Sequence, residues 1–323
     1  MRSLWQTDER ALPISEVCPW YWSGAGGSPI RSPEGSVTSG ELVNTVRNVR
    51  LSRRAALLGG LGVGAGLLTG CQAKTPEVDP RNELALTKPP TSTSQPVTID
   101  RKIAAGRYRD VDIVLIRPAG IPPGPIPVCV ALHDKVGGAR SFLDLGVPDV
   151  LTELVRYSSV PFAIAAADGG NWIGDKDDEP MRMLEEDLPE WLEYHDLATT
   201  PFAAVGIGEG AVGALNHGRK STGIEVVAAI SPTLYESWAF AEQSKDFESR
   251  AQWEAKEPLR HPREFANLKV AVWCGTEDEA FLDTAKDFAG KVGAKGHWAP
   301  GGHNAAYWKK ALPEALKYVG EHL

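Results

Sequence analysis

Four cysteines among 323 residues are too few for a disulfide scaffold. Cys129, in "PVCVAL", and Cys274, in "VAVWCG", sit in apolar β-like runs and read as two buried thiols. A basic excess is also missing. The formal net charge is −8, and beyond residue 71 acidic side chains outnumber basic ones by ten. Phosphate binding needs a basic footprint, so nucleic acid is excluded as a partner. Uninterrupted apolar runs of about 20 residues are lacking, which argues against a membrane-spanning helix. Internal repeats are absent. His297 and His303 stand six apart across a Gly/Pro turn, which is not a ligand spacing. The acidic run Asp175 to Glu179 lacks the alternating acids and central glycine of a calcium loop. Neither a metal nor a cofactor is expected.

What is present begins with an address. "RLSRRAALLGGLGVGAGLLTGCQ" from Arg50 joins paired arginines, a short Gly/Ala/Leu run and Leu68-Thr69-Gly70-Cys71. This order resembles a twin-arginine export signal ending in a bacterial lipobox, which implies acylation of Cys71. The expectation is a domain outside the cytoplasmic membrane, exported by the twin-arginine route and anchored to the membrane through that lipid. Residues 1–49 precede the signal and read as an over-called start, with Val37 or Val43 as alternative initiators, or as a disordered extension. Residues 50–71 form the signal. Residues 72–96, rich in Pro, Thr and Ser, read as a flexible tether.

From residue 97 to 323 strand and helix signals alternate. "DVDIVLIRPA" reads as an early, half-exposed strand. "IPVCVALHD", "VPFAIAAADGG", "FAAVGIG", "IEVVAAISP" and "LKVAVWCG" are short apolar runs, as expected of strands buried on both faces. Helical spacing runs through Val150, Leu151, Leu154 and Val155, through "MRMLEEDLPEWLEYH" with a break near Pro189, and through Trp308, Leu312, Leu316 and Val319. Repeated βα units predict an α/β fold: a mostly parallel central sheet with helices on both faces. Functional groups are then expected at the carboxyl ends of the strands.

One such end carries "AAVGIGEGAVGAL", Ala203 to Leu215. A buried strand, a glycine-flanked turn and a small-residue helix match the frame G-x-S-x-G, but the central position is Gly208. An acid follows a later strand in "VAVWCGTEDEAF": Asp278, flanked by Glu277 and Glu279, either of which is an alternative acid. A histidine, His303, follows in "HWAPGGHNAAYW". The chain order nucleophile, acid, histidine is that of the serine hydrolases of this architecture.

Further segments fall in the same order: "LHDKVGG" at Leu132–Gly138, "DGGNW" at Asp168–Trp172, "EPM" at Glu179–Met181, "SP" at Ser231–Pro232 and "GGHNAAYW" at Gly301–Trp308. Together they resemble the actinobacterial, mycobacterial-type esterase branch of the α/β-hydrolases, distantly similar to mycolyltransferases. That resemblance implies an α/β-hydrolase fold with a small helical cap insertion at about 233–265. It also implies that Asp278 and His303 are the acid and base left over from a triad.

Two departures stand out. Gly208 offers no nucleophile, and Asp134 stands where the family's oxyanion turn has glycine. A carboxylate there opposes the negative charge of a tetrahedral intermediate. Glu209, next to the elbow, is expected to add a second repelling charge. With no serine to activate, the Asp278–His303 pair is left to bind a ligand hydroxyl or to pin its loop. Trp172, Trp238 and Trp298 are candidates for a ligand pocket, with core packing as the alternative for each.

The expected function is a lipid-anchored pseudoenzyme that binds envelope lipid or glycan. The alternative is an esterase or acyltransferase working without serine.

Overall fold

The computed structural model describes residues 96–157 and 159–323. The segments expected to be leader, export signal with Cys71, and tether up to residue 95 lie outside the described residues. No described helix is long and apolar enough to cross a membrane.

Eight strands form one sheet: β1 (Val97–Ala104), β2 (Arg109–Ile116), β3 (Val128–Leu132), β4 (Ala163–Ala167), β5 (Ala203–Ile207), β6 (Val226–Ile230), β7 (Lys269–Gly275) and β8 (Lys295–Ala299). Their spatial order is β1-β2-β4-β3-β5-β6-β7-β8. β2 runs antiparallel to both β1 and β4, and all other pairings are parallel. The five strands β3 to β7 are apolar runs because both faces are covered. Val130, Leu132, Ala204, Val227 and Val272 belong to one core, and Cys129, Ala131, Val205, Ala228 and Ala271 to the other.

The helices are α1 (Ser141–Asp144), α2 (Val147–Arg156), α3 (Pro180–Arg182), α4 (Leu188–Tyr194), α5 (Glu209–Lys220), α6 (Trp238–Ser244), α7 (Arg250–Lys256), α8 (Leu282–Val292) and α9 (Ala305–Gly320). α5 and α8 pack into the first core, α2 and α9 into the second. Between α3 and α4, Met183–Asp187 forms a π-type turn. It absorbs Pro189, which lacks an N–H and would clash with the preceding turn of a regular helix.

α6, α7 and two 3₁₀ turns (Pro258–Arg260 and Pro262–Phe265) fill the connection between β6 and β7. Glu257 ties this insertion down. Wholly buried, it accepts the N–H groups of Tyr235 (3.0 Å) and Leu259 (3.2 Å). Burial pushes its carboxyl up to about 7.

Candidate functional site

The site is built around the turn from β5 into α5. Gly208 has φ 59° and ψ −122°, a strained conformation that side chains rarely adopt, and its N–H donates to Ile230 O at 2.9 Å. Gly210 brings the first turn of α5 against the backbone of Leu132 and His133 so closely that a Cβ would overlap it. The backbone turns as a nucleophile elbow does, with glycine at the position that is serine in the frame G-x-S-x-G.

Asp134 fills the space. A Cβ built on Gly208 would overlap Asp134 Oδ1 and lie 2.6 Å from its Cγ. The same Oδ1 accepts the backbone N–H of Glu209 at 3.2 Å. That N–H opens α5, where the helix dipole favours negative charge. A carboxylate of the chain itself thus holds the donor that faces an oxyanion in acyl transfer.

Asp134 is positioned by His133, which is 2% exposed. Nε2 of this imidazole accepts from Gly169 N–H at 2.6 Å, so Nδ1 carries the proton and donates to Asp134 O at 2.6 Å. Burial depresses the His133 pKa, in keeping with a neutral ring. Trp172 Nε1 donates to His133 O at 2.8 Å and completes the clamp.

Glu209 corrects one expectation. Its side chain is buried among Lys135, 3.2 Å away, and Asp246. Burial first, and the Asp246 charge second, push the Glu209 carboxyl up to about 8. Burial and Asp246 thus favour its neutral form, against the pull of Lys135, and the side chain is engaged in this cluster. Burial also acts to raise Asp246, but hydrogen bonds from Lys135 and Ser244 prevail and bring it below its ordinary value. Asp246 in addition accepts from Tyr235 Oη at 3.0 Å. Lys135, Asp246 and Tyr235 were not legible as site residues, although Lys135 adjoins Asp134 in "LHDKVGG".

The acid and histidine meet. His303 Nδ1 lies 2.8 Å from Asp278 Oδ2, and Asp278 is 2% exposed, whereas Glu277 and Glu279 are exposed. Thr276 N–H to Ala299 O and Glu277 N–H to Gly301 O, both 2.9 Å, lace the acid's loop to the histidine's. The imidazole packs edge-on against Trp308 at 5.5 Å and tilts toward Phe281 at 5.3 Å. Among the described residues no hydroxyl or thiol hydrogen-bonds to His303. Cys274 Sγ lies 3.6 Å from Asp278 Oδ2, and the buried Ser231 hydroxyl accepts from Trp308 Nε1 at 3.2 Å.

The three tryptophans do not converge. Trp172 is 1% exposed, packs against Gly213 of α5 and borders a 320 Å³ hollow with Met181 and Lys256. Trp238 opens α6 and leans on Trp253, with ring centroids 6.3 Å apart. Trp298 lies on the edge strand β8, 36% exposed. The acidic run beyond Asp175 supplies Asp178 to the buried Arg107 guanidinium at 2.5 Å. No group of metal-ligating side chains occurs among the described residues.

Comparison with known proteins agrees with the fold. A ferulic acid esterase superposes with TM-score 0.59 at 19% identity, covering 70% of this chain and 98% of that one. An S-formylglutathione hydrolase from Agrobacterium tumefaciens gives TM-score 0.58 at 12% identity, covering 71% and 98%. Mycobacterium tuberculosis MPT51 (FbpC1) gives 0.54 at 18%, covering 70% and 99%. No curated protein matches the chain by sequence. The Esterase family model matches residues 157–319, half of the chain. The protein is a member of the Esterase family of α/β-hydrolases.

Proposed function

We propose that this esterase-like domain is a binding protein rather than a hydrolase, held at the outer face of the cytoplasmic membrane by a lipid on Cys71. Its ligand is an envelope lipid or glycan received in the crevice of the former active site. One observation carries the reading: Asp134 stands where a nucleophile's side chain would be and holds the Glu209 N–H. Loss of a triad serine lowers turnover by about 10⁶ in a protease. The residual rate usually left, about 10³–10⁴ over water, comes from binding and the oxyanion hole. Asp134 occupies a donor of that hole, which removes part of this remainder as well.

The intact Asp278–His303 hydrogen bond supports a rival reading, an imidazole activating water or another nucleophile. A short-chain p-nitrophenyl ester assay on the purified protein separates the two. The binding reading expects no turnover above the uncatalysed rate and no change in His303→Ala. Turnover that disappears in His303→Ala overturns it. Likeness to MPT51 at 18% identity shows a shared fold, and membership of the actinobacterial branch remains part of this proposal.

A further inference from the structure

One turn of the insertion between β6 and β7 lies across the elbow. Asp246, between α6 and α7, meets residues from three strand ends. Its carboxylate accepts from Lys135, after β3, and its backbone O accepts from Asn171 Nδ2, after β4, at 2.7 Å. Lys135 also reaches the carboxyl of Glu209, after β5, at 3.2 Å. Within the insertion, Tyr235 Oη donates to Asp246 at 3.0 Å. The Tyr235 ring meets Phe281 at 5.8 Å, and Phe281 in turn packs against His303. The insertion therefore reaches from the Lys135 turn to the His303 loop.

The base of the insertion is held by other bonds. Gln252 Nε2 of α7 donates to Gly174 O at 2.8 Å, and Asn216 Nδ2 of α5 donates to Lys256 O at 2.9 Å. None of these involves Asp246, so its turn can loosen while α7 stays seated.

Glu209 Oε1 holds Lys135, but Glu209 Oε2 is buried without a partner. Native interiors leave very few such atoms unmatched. A proton on this carboxyl makes it a donor, and Asp246 is the side-chain acceptor within its reach. One proton thus turns an orphaned oxygen into a bond between α5 and the insertion. The charges then balance, with Lys135 positive, Asp246 negative and Glu209 neutral. Burial keeps the Tyr235 phenol neutral, and the Asp134 carboxylate sits on the Glu209 N–H. Once Glu209 is ionised, the single ammonium of Lys135 faces two carboxylates, with Asp134 a third nearby. The Lys135 side chain is 50% exposed, which gives solvent a route to the cluster.

We propose that the turn 244–247 is a proton-operated gate over the crevice: a proton shared by Glu209 and Asp246 holds it shut, and loss of that proton releases it. As a control of ligand entry the gate rests on the crevice reading above; as a movement it does not.

Hydrogen exchange of the full-length protein without ligand, corrected for the intrinsic rate at each pH, tests the movement. The folded value of Glu209, about 8, lies between pH 6 and pH 9. Protection in peptides covering residues 240–249 should fall at least ~10-fold from pH 6 to pH 9. Protection in β5 and β6 should hold, which separates local opening from unfolding. Glu209→Gln, whose amide donates to Asp246 at either pH, should keep the turn protected at both. Asp246→Asn, which leaves Lys135 to neutralise Glu209 alone, should also abolish the pH response. Equal protection of the unsubstituted protein at the two pH values overturns the gate. So does a fall in Glu209→Gln or in Asp246→Asn as large as in the unsubstituted protein. A turn that opens in a protein whose crevice takes no ligand would refute the crevice reading and leave the gate standing.

Discussion

Asp134 and Gly208 are complementary: the carboxylate at one position fills the space that glycine leaves at the other. Asp134 in this position requires glycine at 208. A side chain at 208 collides with Asp134, and Asp134 reaches the α5 N–H because nothing stands between them.

Gly208→Ser by itself is therefore expected to fail as a restoration. It introduces the collision and places a side chain at φ 59°, a strain of about 1–3 kcal/mol. Asp134→Gly combined with Gly208→Ser clears the site and frees the Glu209 N–H. Labelling by a fluorophosphonate should be at least ~10-fold faster in the double variant than in Gly208→Ser. Equal labelling of the two would show that Asp134 is not the obstruction.

Glu209 makes stability depend on pH. Its folded pKa, about 8, lies above the ordinary 4.5. Between those values the native state holds a proton that the unfolded chain has released. Stability therefore falls as pH rises through this window, and the loss is complete above about 8. Glu257 acts in the same direction, with its window ending near 7. Glu209→Gln should remove one proton's worth of slope, up to about 1.4 kcal/mol per pH unit. Denaturant titrations at pH 5, 7 and 9 read it out. Identical slopes in the two proteins would mean that Glu209 is already ionised in the folded state.

Cys129 and Cys274 should behave as two inert thiols. Cys129 lies on β3 and Cys274 on β7, in cores on opposite faces of the sheet, so they cannot be bridged. Burial pushes the Cys274 thiol up to about 12 and raises Cys129 as well. A colorimetric thiol reagent should find neither in the native domain and both after denaturation. Rapid native reaction at either position would contradict this packing.

Trp172→Ala tests the core reading of that residue. It removes a fully buried indole and the hydrogen bond to His133 O that steadies the Asp134 turn. A loss of about 3–5 kcal/mol in unfolding free energy is expected. A loss under about 1 kcal/mol would return Trp172 to the list of ligand-facing residues.

The buried strands β3 to β7 were legible because doubly covered strands are continuous apolar runs, a signal carried within five to seven residues. β1 and β8 were not. "VTIDRKIA" alternates charged with apolar residues, and "KGHWA" is largely exposed, because each has a neighbour on one side only. Asp278 and His303 were legible through their place after strand ends, but the choice among Glu277, Asp278 and Glu279 was not. It depends on which carboxyl the turn after β7 buries against the imidazole.

Order along the chain alone determined the α/β architecture, the empty elbow at Gly208 and the acid and histidine that outlive it, since each is a local pattern at a strand end. Only the tertiary structure decided what two acidic residues do there. Asp134 folds into the vacancy and caps α5, whereas Glu209, adjacent to the same turn, points into a buried cluster with Lys135 and Asp246 and keeps its proton. A carboxyl's charge depends on the water and the partners around it, and those come from segments as much as 111 residues apart along the chain, as between Lys135 and Asp246.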